Sequence, residues 1–344
     1  MPLGAFRLNT LGAAAAAVAQ IQTLAVSASS SPYVTIYNRS GDTFTKLTDP
    51  TVPATNSQGQ VAFNPAGTSL VISGLTDSPW IAIYNRSGDT FTRLSNPATL
   101  PTGEAHGVAW SPDGVYLAVA HDTSPYITVY SRSGDTFTKL ANPSTLPTSS
   151  GEGIAWNHNG TSVAVGTSGG VRIYDRSGST LSGNISVVPG GNCYGVAWTV
   201  FGGAQTLAVA HANSPRVSVY NRTGTSTTFS KITNPATLPT GGGFGVDWNS
   251  DGSTLAVAHS SSPYVTIYNR SGNTLTKITN PGTLPTGNGQ GVSWNSDGTS
   301  LAVAHSTTPF VTIYNRSGDT FTKITNPATL PPSIGRGVDF GLKP

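Results

Sequence analysis

Three features of the sequence predict an all-β fold made from seven copies of one small sheet. The string Ile/Val-Tyr-x-Arg occurs seven times, anchored at Tyr37, Tyr84, Tyr130, Tyr174, Tyr220, Tyr268 and Tyr314, with spacings of 47, 46, 44, 46, 48 and 46 residues. Between anchors run short segments whose apolar residues alternate at period two, the pattern of half-buried strands rather than helices. Gly (40) and Pro (24) are abundant and only 10% of residues are charged, which is the composition of many turns. A repeat of this length, four strands to a unit, hides its sheet edges by packing radially, so the expected architecture is a seven-bladed β-propeller.

The sixth unit shows each element in order. Strand A is Gly245-Val-Asp-Trp248, strand B Thr254-Leu-Ala-Val-Ala258, strand C Tyr264-Val-Thr-Ile-Tyr268 and strand D Thr274-Leu-Thr-Lys-Ile278. A and B join through Asn249-Ser-Asp-Gly252, and C and D through Asn269-Arg-Ser-Gly-Asn273, both rich in the residues tight turns require. Each unit is therefore an antiparallel meander. The first unit starts at strand B (Thr23 to Ala28), and the last stops after a lone strand A, Arg336-Gly-Val-Asp-Phe340. Joining the two completes the first blade and closes the ring without a loose edge, whereas an open solenoid would want capping repeats. The expected domains are residues 22–344 as propeller and 1–21 as a short N-terminal arm.

The stretch Gly107-Val-Ala-Trp-Ser-Pro-Asp-Gly114, followed by Leu-Ala-Val-Ala-His121, resembles the opening of a WD40-type repeat. The Trp-Asp dipeptide of that family is replaced by Tyr-Asn, Tyr-Ser or Tyr-Asp at the end of strand C. The regular text Tyr-Val-Thr-Ile-Tyr-Asn-Arg-Ser-Gly is similar to propeller virion proteins of tailed marine phages, and Met1 to Asn9 resembles a short leader shared by unrelated virion proteins of marine phages. The resemblance implies a virion location and a structural role.

Composition narrows the partners. A net charge of +3 from 18 cations gives no basic patch for nucleic acid, and no apolar run is long enough to span a bilayer. The single cysteine, Cys193, excludes a disulfide framework and a cysteine-built zinc site. His121, His211, His259 and His305 each end a strand B, which reads as packing or hydrogen bonding within each blade rather than metal ligation; no metal or other cofactor is expected. Asp42, Asp89, Asp135 and Asp319 occupy the C-to-D turns as turn formers. No convergent carboxylate pair of the kind a glycosidase needs stands out.

Non-repeat residues lie just before strand A. Two positions ahead of its Val or Ile stand Gly59, His106, Glu152, Tyr194, Phe244, Gln290 and Arg336; four ahead stand Ser57, Glu104, Ser150, Asn192, Gly242, Asn288 and Ile334. Strand A is innermost in a propeller, so these residues should ring the channel mouth, with His106, Glu152, Tyr194, Phe244, Gln290, Arg336, Glu104, Asn192 and Asn288 as candidate binding residues. On the same face Tyr33, Trp80, Tyr126, Tyr264 and Phe310 open strand C, either as an aromatic platform for sugars or as packing for the adjoining loops. Blades four and five carry altered connections, either a contact edge or repeat decay. The arm offers Leu3, Phe6, Leu8 and Leu11 with almost no charge, which suits anchoring to another protein chain. The function expected from this reading is a non-enzymatic virion structural protein of a tailed phage, held to other virion proteins through the arm, with a host-surface glycan or protein as a further partner. The alternative is a secreted or surface glycan-binding lectin; a hydrolase ranks behind both.

Overall fold

The computed structural model describes residues 22–50, 59–74, 76–223 and 227–344. Its strands form seven four-stranded antiparallel sheets around a central channel, the seven-bladed propeller expected. Ring closure follows the predicted route. Gly335–Leu342 is the innermost strand of the first blade and pairs with Gln22–Ala28, from Gln22↔Leu342 to Ala28↔Gly335. The arm at 1–21, with Leu3, Phe6, Leu8 and Leu11, and Ser57 lie outside the described residues.

The core consists of layers between blades rather than one central mass. Between the sixth and seventh blades Ala256, Ala258, Val265 and Ile267 meet Val292, Trp294, Leu301 and Tyr314, and six equivalent clusters fill the other interfaces. Strand B sits inside each sheet with both faces covered, so Thr254–His259 is buried throughout. This explains the unbroken Leu-Ala-Val-Ala text. The anchor tyrosines fix the loops: Tyr37, Tyr130, Tyr268 and Tyr314 each donate a 2.9 Å hydrogen bond to a threonine carbonyl of the D-to-A loop entering their own blade.

At the end of the ring carrying the A-to-B and C-to-D turns, neighbouring blades are clamped by side chains. Asn38 donates to Asp89 (2.7 Å), Asn269 to Asp319 (2.7 Å) and Asn315 to Asp42 (2.6 Å). The Asp of each turn thus receives the preceding blade's asparagine. In blade four Asp175 replaces that asparagine, and Arg222 of the next blade grips both of its oxygens at 2.9 and 2.8 Å.

One expectation needs correction. Closure joins the first blade but leaves the outer edge of every strand D unpaired. These strands are mostly guarded by shortness and a cation: Thr43–Lys46, Thr90–Arg93, Thr136–Lys139, Phe229–Lys231, Thr274–Lys277 and Thr320–Lys323 have three or four residues and end in Lys or Arg. Thr180–Val187 of blade four has eight residues and no charge, although a bulge near Gly183 (φ 80) bends it.

Candidate functional site at the channel mouth

The innermost strands owe their inward-pointing residues to a repeated backbone irregularity. Strand A of the third blade pairs Ala105↔His121 and then Gly107↔Ala120, so His106 is the extra residue of a β-bulge. The same break brackets Tyr194 (Cys193 to Gly195), Phe244 (Gly243 to Gly245) and Gln290 (Gly289 to Gly291), and falls at Glu152 and Arg336 in their blades. A bulge re-aims a side chain that a regular ladder would point into the sheet. Here it turns one residue per blade toward the axis.

A glycine follows each of these six residues and lets the inner strands crowd together. A methyl at Gly195 would lie 2.7 Å from the Phe244 carbonyl oxygen and 3.2 Å from the Gly245 Cα. Below this collar the channel narrows to a space of about 70 Å³ walled by glycine, valine and isoleucine residues together with Gln60. The mouth above it is a cup of about 120 Å³ lined by Gly59, Gln60, His106, Glu152, Tyr194, Phe244, Gln290 and Arg336.

The six side chains read from the sequence thus meet around one cavity. His106 Nδ1 lies 3.8 Å from Glu152 Oε2, and Ser150 donates to the other Glu152 oxygen at 3.3 Å. Tyr194 and Phe244 form a tilted aromatic pair with centroids 5.3 Å apart. Arg336 is half-buried; its Nε is enclosed, and its guanidinium has no hydrogen bond or ion pair among the described residues.

Other candidates are placed elsewhere. Glu104, Asn192 and Asn288 do not line the cup; their carbonyls accept from the amides of Asp122 (3.1 Å), Ala212 (2.9 Å) and Ser306 (3.1 Å), tying the D-to-A loop to the B-to-C turn. Tyr33, Trp80, Tyr126, Tyr264 and Phe310 are half-buried, one to a blade, and none lines the mouth. All five follow a cis-proline bond and have φ between 59° and 67°; Trp80 packs on the core of its own interface. The strand-B histidines are internal: Nε2 of His121, His259 and His305 meets a strand-C threonine at 2.9 to 3.0 Å, and that of His211 meets Ser218 at 3.1 Å. Burial pushes all four imidazoles down to about 4.

Two features escaped the sequence reading. In the second blade the order is Gly59-Gln60-Val61 where other blades have variable residue, glycine and Val or Ile, so Gln60 brings a side chain to both the cup and the channel. Asp247 and Asp339 lie on strands A two blades apart, at matching positions. Asp247 accepts the Trp294 amide at 2.8 Å and Asp339 the Phe63 amide at 2.8 Å, each joining its strand to the next blade's. Burial pushes both carboxyls up to about 7, with the Asp339 charge adding to the rise at Asp247. The expectation that no carboxylates with raised pKa come together is corrected by this pair, although it lies outside the cup.

The fold places the chain among seven-bladed propellers, and the comparisons with known proteins agree. No family model matches the sequence, and no curated protein matches it. Among solved structures, a Bacteroides fragilis protein with a provisional 6-phosphogluconolactonase name superposes with a TM-score of 0.74 at 14% identity, covering 94% of this chain and 99% of its own. A periplasmic gluconolactonase of Pseudomonas aeruginosa gives 0.70 at 13% identity, covering 94% and 100%. A Lactobacillus plantarum protein gives 0.75 at 16%, covering 93% and 99%. At these identities the likeness shows the fold alone. It nevertheless corrects two expectations: neighbours named as lactonases, not phage virion proteins, overturn the virion reading with its lectin alternative, and they overturn the expectation of a non-enzymatic chain.

Proposed function

We propose that the channel mouth is a hydrolytic site for a small cyclic ester of a sugar acid, a lactone. The convergence of His106 and Glu152, 3.8 Å apart, on a cup otherwise lined by Gly59, two glutamines, two aromatic rings and Arg336 supports this most directly. Lactone opening needs a base for water, donors for the carbonyl oxygen and hydroxyls, and a surface for the ring. In this reading His106 takes a proton from water and Glu152 orients and stabilises the resulting imidazolium. The water oxygen bonds to the carbonyl carbon, the ring C–O bond breaks, and the departing ring oxygen takes the proton. Gln60 and Gln290 supply amide donors, and the Tyr194–Phe244 pair offers an apolar face to the sugar C–H groups. The gluconolactonase names of two similarly folded proteins favour the same substrate chemistry.

The test is a pH-stat measurement of acid release from glucono-1,5-lactone above its spontaneous rate. Loss of a general base costs about 10²- to 10⁴-fold, so H106A should lose at least 10²-fold in kcat and E152Q somewhat less. A parent protein no faster than buffer, or an H106A variant as fast as the parent, overturns the proposal.

A further inference from the structure

Resting on that reading, we infer that the substrate carries one free carboxylate besides its ester: the lactone of a dicarboxylic sugar acid, held by Arg336. The inference starts from a contrast among arginines. Those ending strand C are committed to the fold: Arg39, Arg86, Arg132, Arg270 and Arg316 each donate from Nε to the glycine carbonyl of their own turn at 2.8 to 3.0 Å. Arg336 belongs to no such pattern. It sits on a bulge, reaches the cup, and keeps an enclosed Nε with no partner among the described residues. An enclosed donor without an acceptor is costly, more so in a charged group, so a ligand that accepts from Arg336 gains an interaction the fold itself leaves unmade.

Charge and space then select the ligand. The cup's described lining holds one permanent cation, Arg336, and one carboxylate, Glu152, which faces His106 and Ser150. Arg336 lines the cup, an open space of about 120 Å³. A planar guanidinium facing such a space fits a carboxylate, which it can grip with two parallel hydrogen bonds. A neutral lactone would leave the guanidinium unpaired. A phosphate ester, near two charges at neutral pH, would face one cation with Glu152 in the same cup; the strand-C arginines lie at the opposite end of the ring and the strand-D lysines on its outer edge. A monoanion matches the one guanidinium that has no carboxylate of its own, Glu152 being turned to His106 and Ser150.

Three lactones separate the possibilities in one pH-stat series: glucono-1,5-lactone (neutral), glucaro-1,4-lactone (one carboxylate) and 6-phosphoglucono-1,5-lactone (phosphorylated). The expected result is a kcat/KM for the glucarolactone at least tenfold above either other. That preference should collapse at least tenfold in R336Q and be partly retained in R336K, with thermal melts confirming that both variants fold. Preference for the neutral or phosphorylated lactone, or a glucarolactone preference that survives R336Q, overturns the inference while leaving the hydrolase reading standing. Failure to open any of the three overturns both.

Discussion

Replacing Gly195 with alanine tests whether the glycine collar holds up the site. The added methyl would meet three backbone atoms of the next blade: the Phe244 carbonyl oxygen at 2.7 Å, the Gly245 Cα at 3.2 Å and the Val246 nitrogen at 3.2 Å. Carbon atoms rest at about 3.5–4.0 Å, so each contact is short by roughly 0.3 Å or more. No rotamer change relieves this, because every obstacle is main chain. Overpacking of this kind costs about 1–3 kcal/mol. At about 2–4 °C per kcal/mol for chains somewhat shorter than this one, the melting temperature should fall by about 2–12 °C, in the lower part of that range for a chain of this length. Since the strand pushed away carries Phe244, lactone turnover should fall as well. The control is Gly282→Ala: nothing lies within 4 Å of a methyl there, and the equivalent loop positions in other blades are Ala98, Ala236 and Ala328. That variant should melt at or slightly above the parent temperature. A Gly195→Ala protein that melts with the control would show that the inner strands are not in the tight contact described.

Removing residues 335–344 takes out the inner strand of the first blade, and the whole ring should lose stability; an unchanged melting temperature would refute closure through that strand. Asp175→Asn restores the residue found at the end of strand C in most blades and should cost little, whereas Asp175→Ala strips the nearly buried Arg222 of a two-pronged partner and should cost about 3 kcal/mol; equal melts for the two would refute the clamp. The strand-B imidazoles sit at about 4 against an ordinary 6.5, so the unfolded chain binds those protons more readily. Their contribution to stability is complete above about pH 6.5 and is lost as pH falls toward 4. Asp247 and Asp339, raised from 3.8 to about 7, act oppositely: their contribution is complete below about pH 4 and is lost as pH rises through 7. Four groups outweigh two, so thermal melts should show a lower transition at pH 4.5 than at pH 7, and the reverse order would refute the assignment.

The blades were legible because their text is local: alternation, turn glycines and the Tyr anchors all act within a few residues. Closure was legible because the missing strand at one end matches the extra strand at the other. The mouth could be located because one variable residue precedes a glycine in otherwise repeated text. Its bulges were not, since a bulge is a mismatch between two strands and neither strand alone records it. Gln60 was missed because the second blade exchanges the variable residue and the glycine, placing a side chain where a position-by-position comparison expects none. Asp247 and Asp339 could not be read as a pair, because strands distant in sequence come within electrostatic reach of one another only in the ring. Glu104 and Asn288 vary for a different reason, since the fold uses their carbonyls, and Asn192 adds to its carbonyl a 3.3 Å side-chain hydrogen bond donated to the Tyr194 hydroxyl.

The pairing of Gln22–Ala28 with Gly335–Leu342 also sets an order of events during synthesis. Strands B, C and D of the first blade emerge from the ribosome before the middle blades, yet their inner partner is made after them, more than 300 residues beyond the strand B it pairs with. Until then the first blade lacks its axial strand, and the interface it shares with the seventh cannot form, because that layer uses Val338 together with Leu24 and Val26. The middle blades, each contiguous in the chain, can assemble as they appear, while the first blade waits for its inner strand. Loop-closure entropy makes that last contact slow as well as late. A nascent chain stalled before residue 335 should therefore show protected middle blades and a protease-sensitive first one.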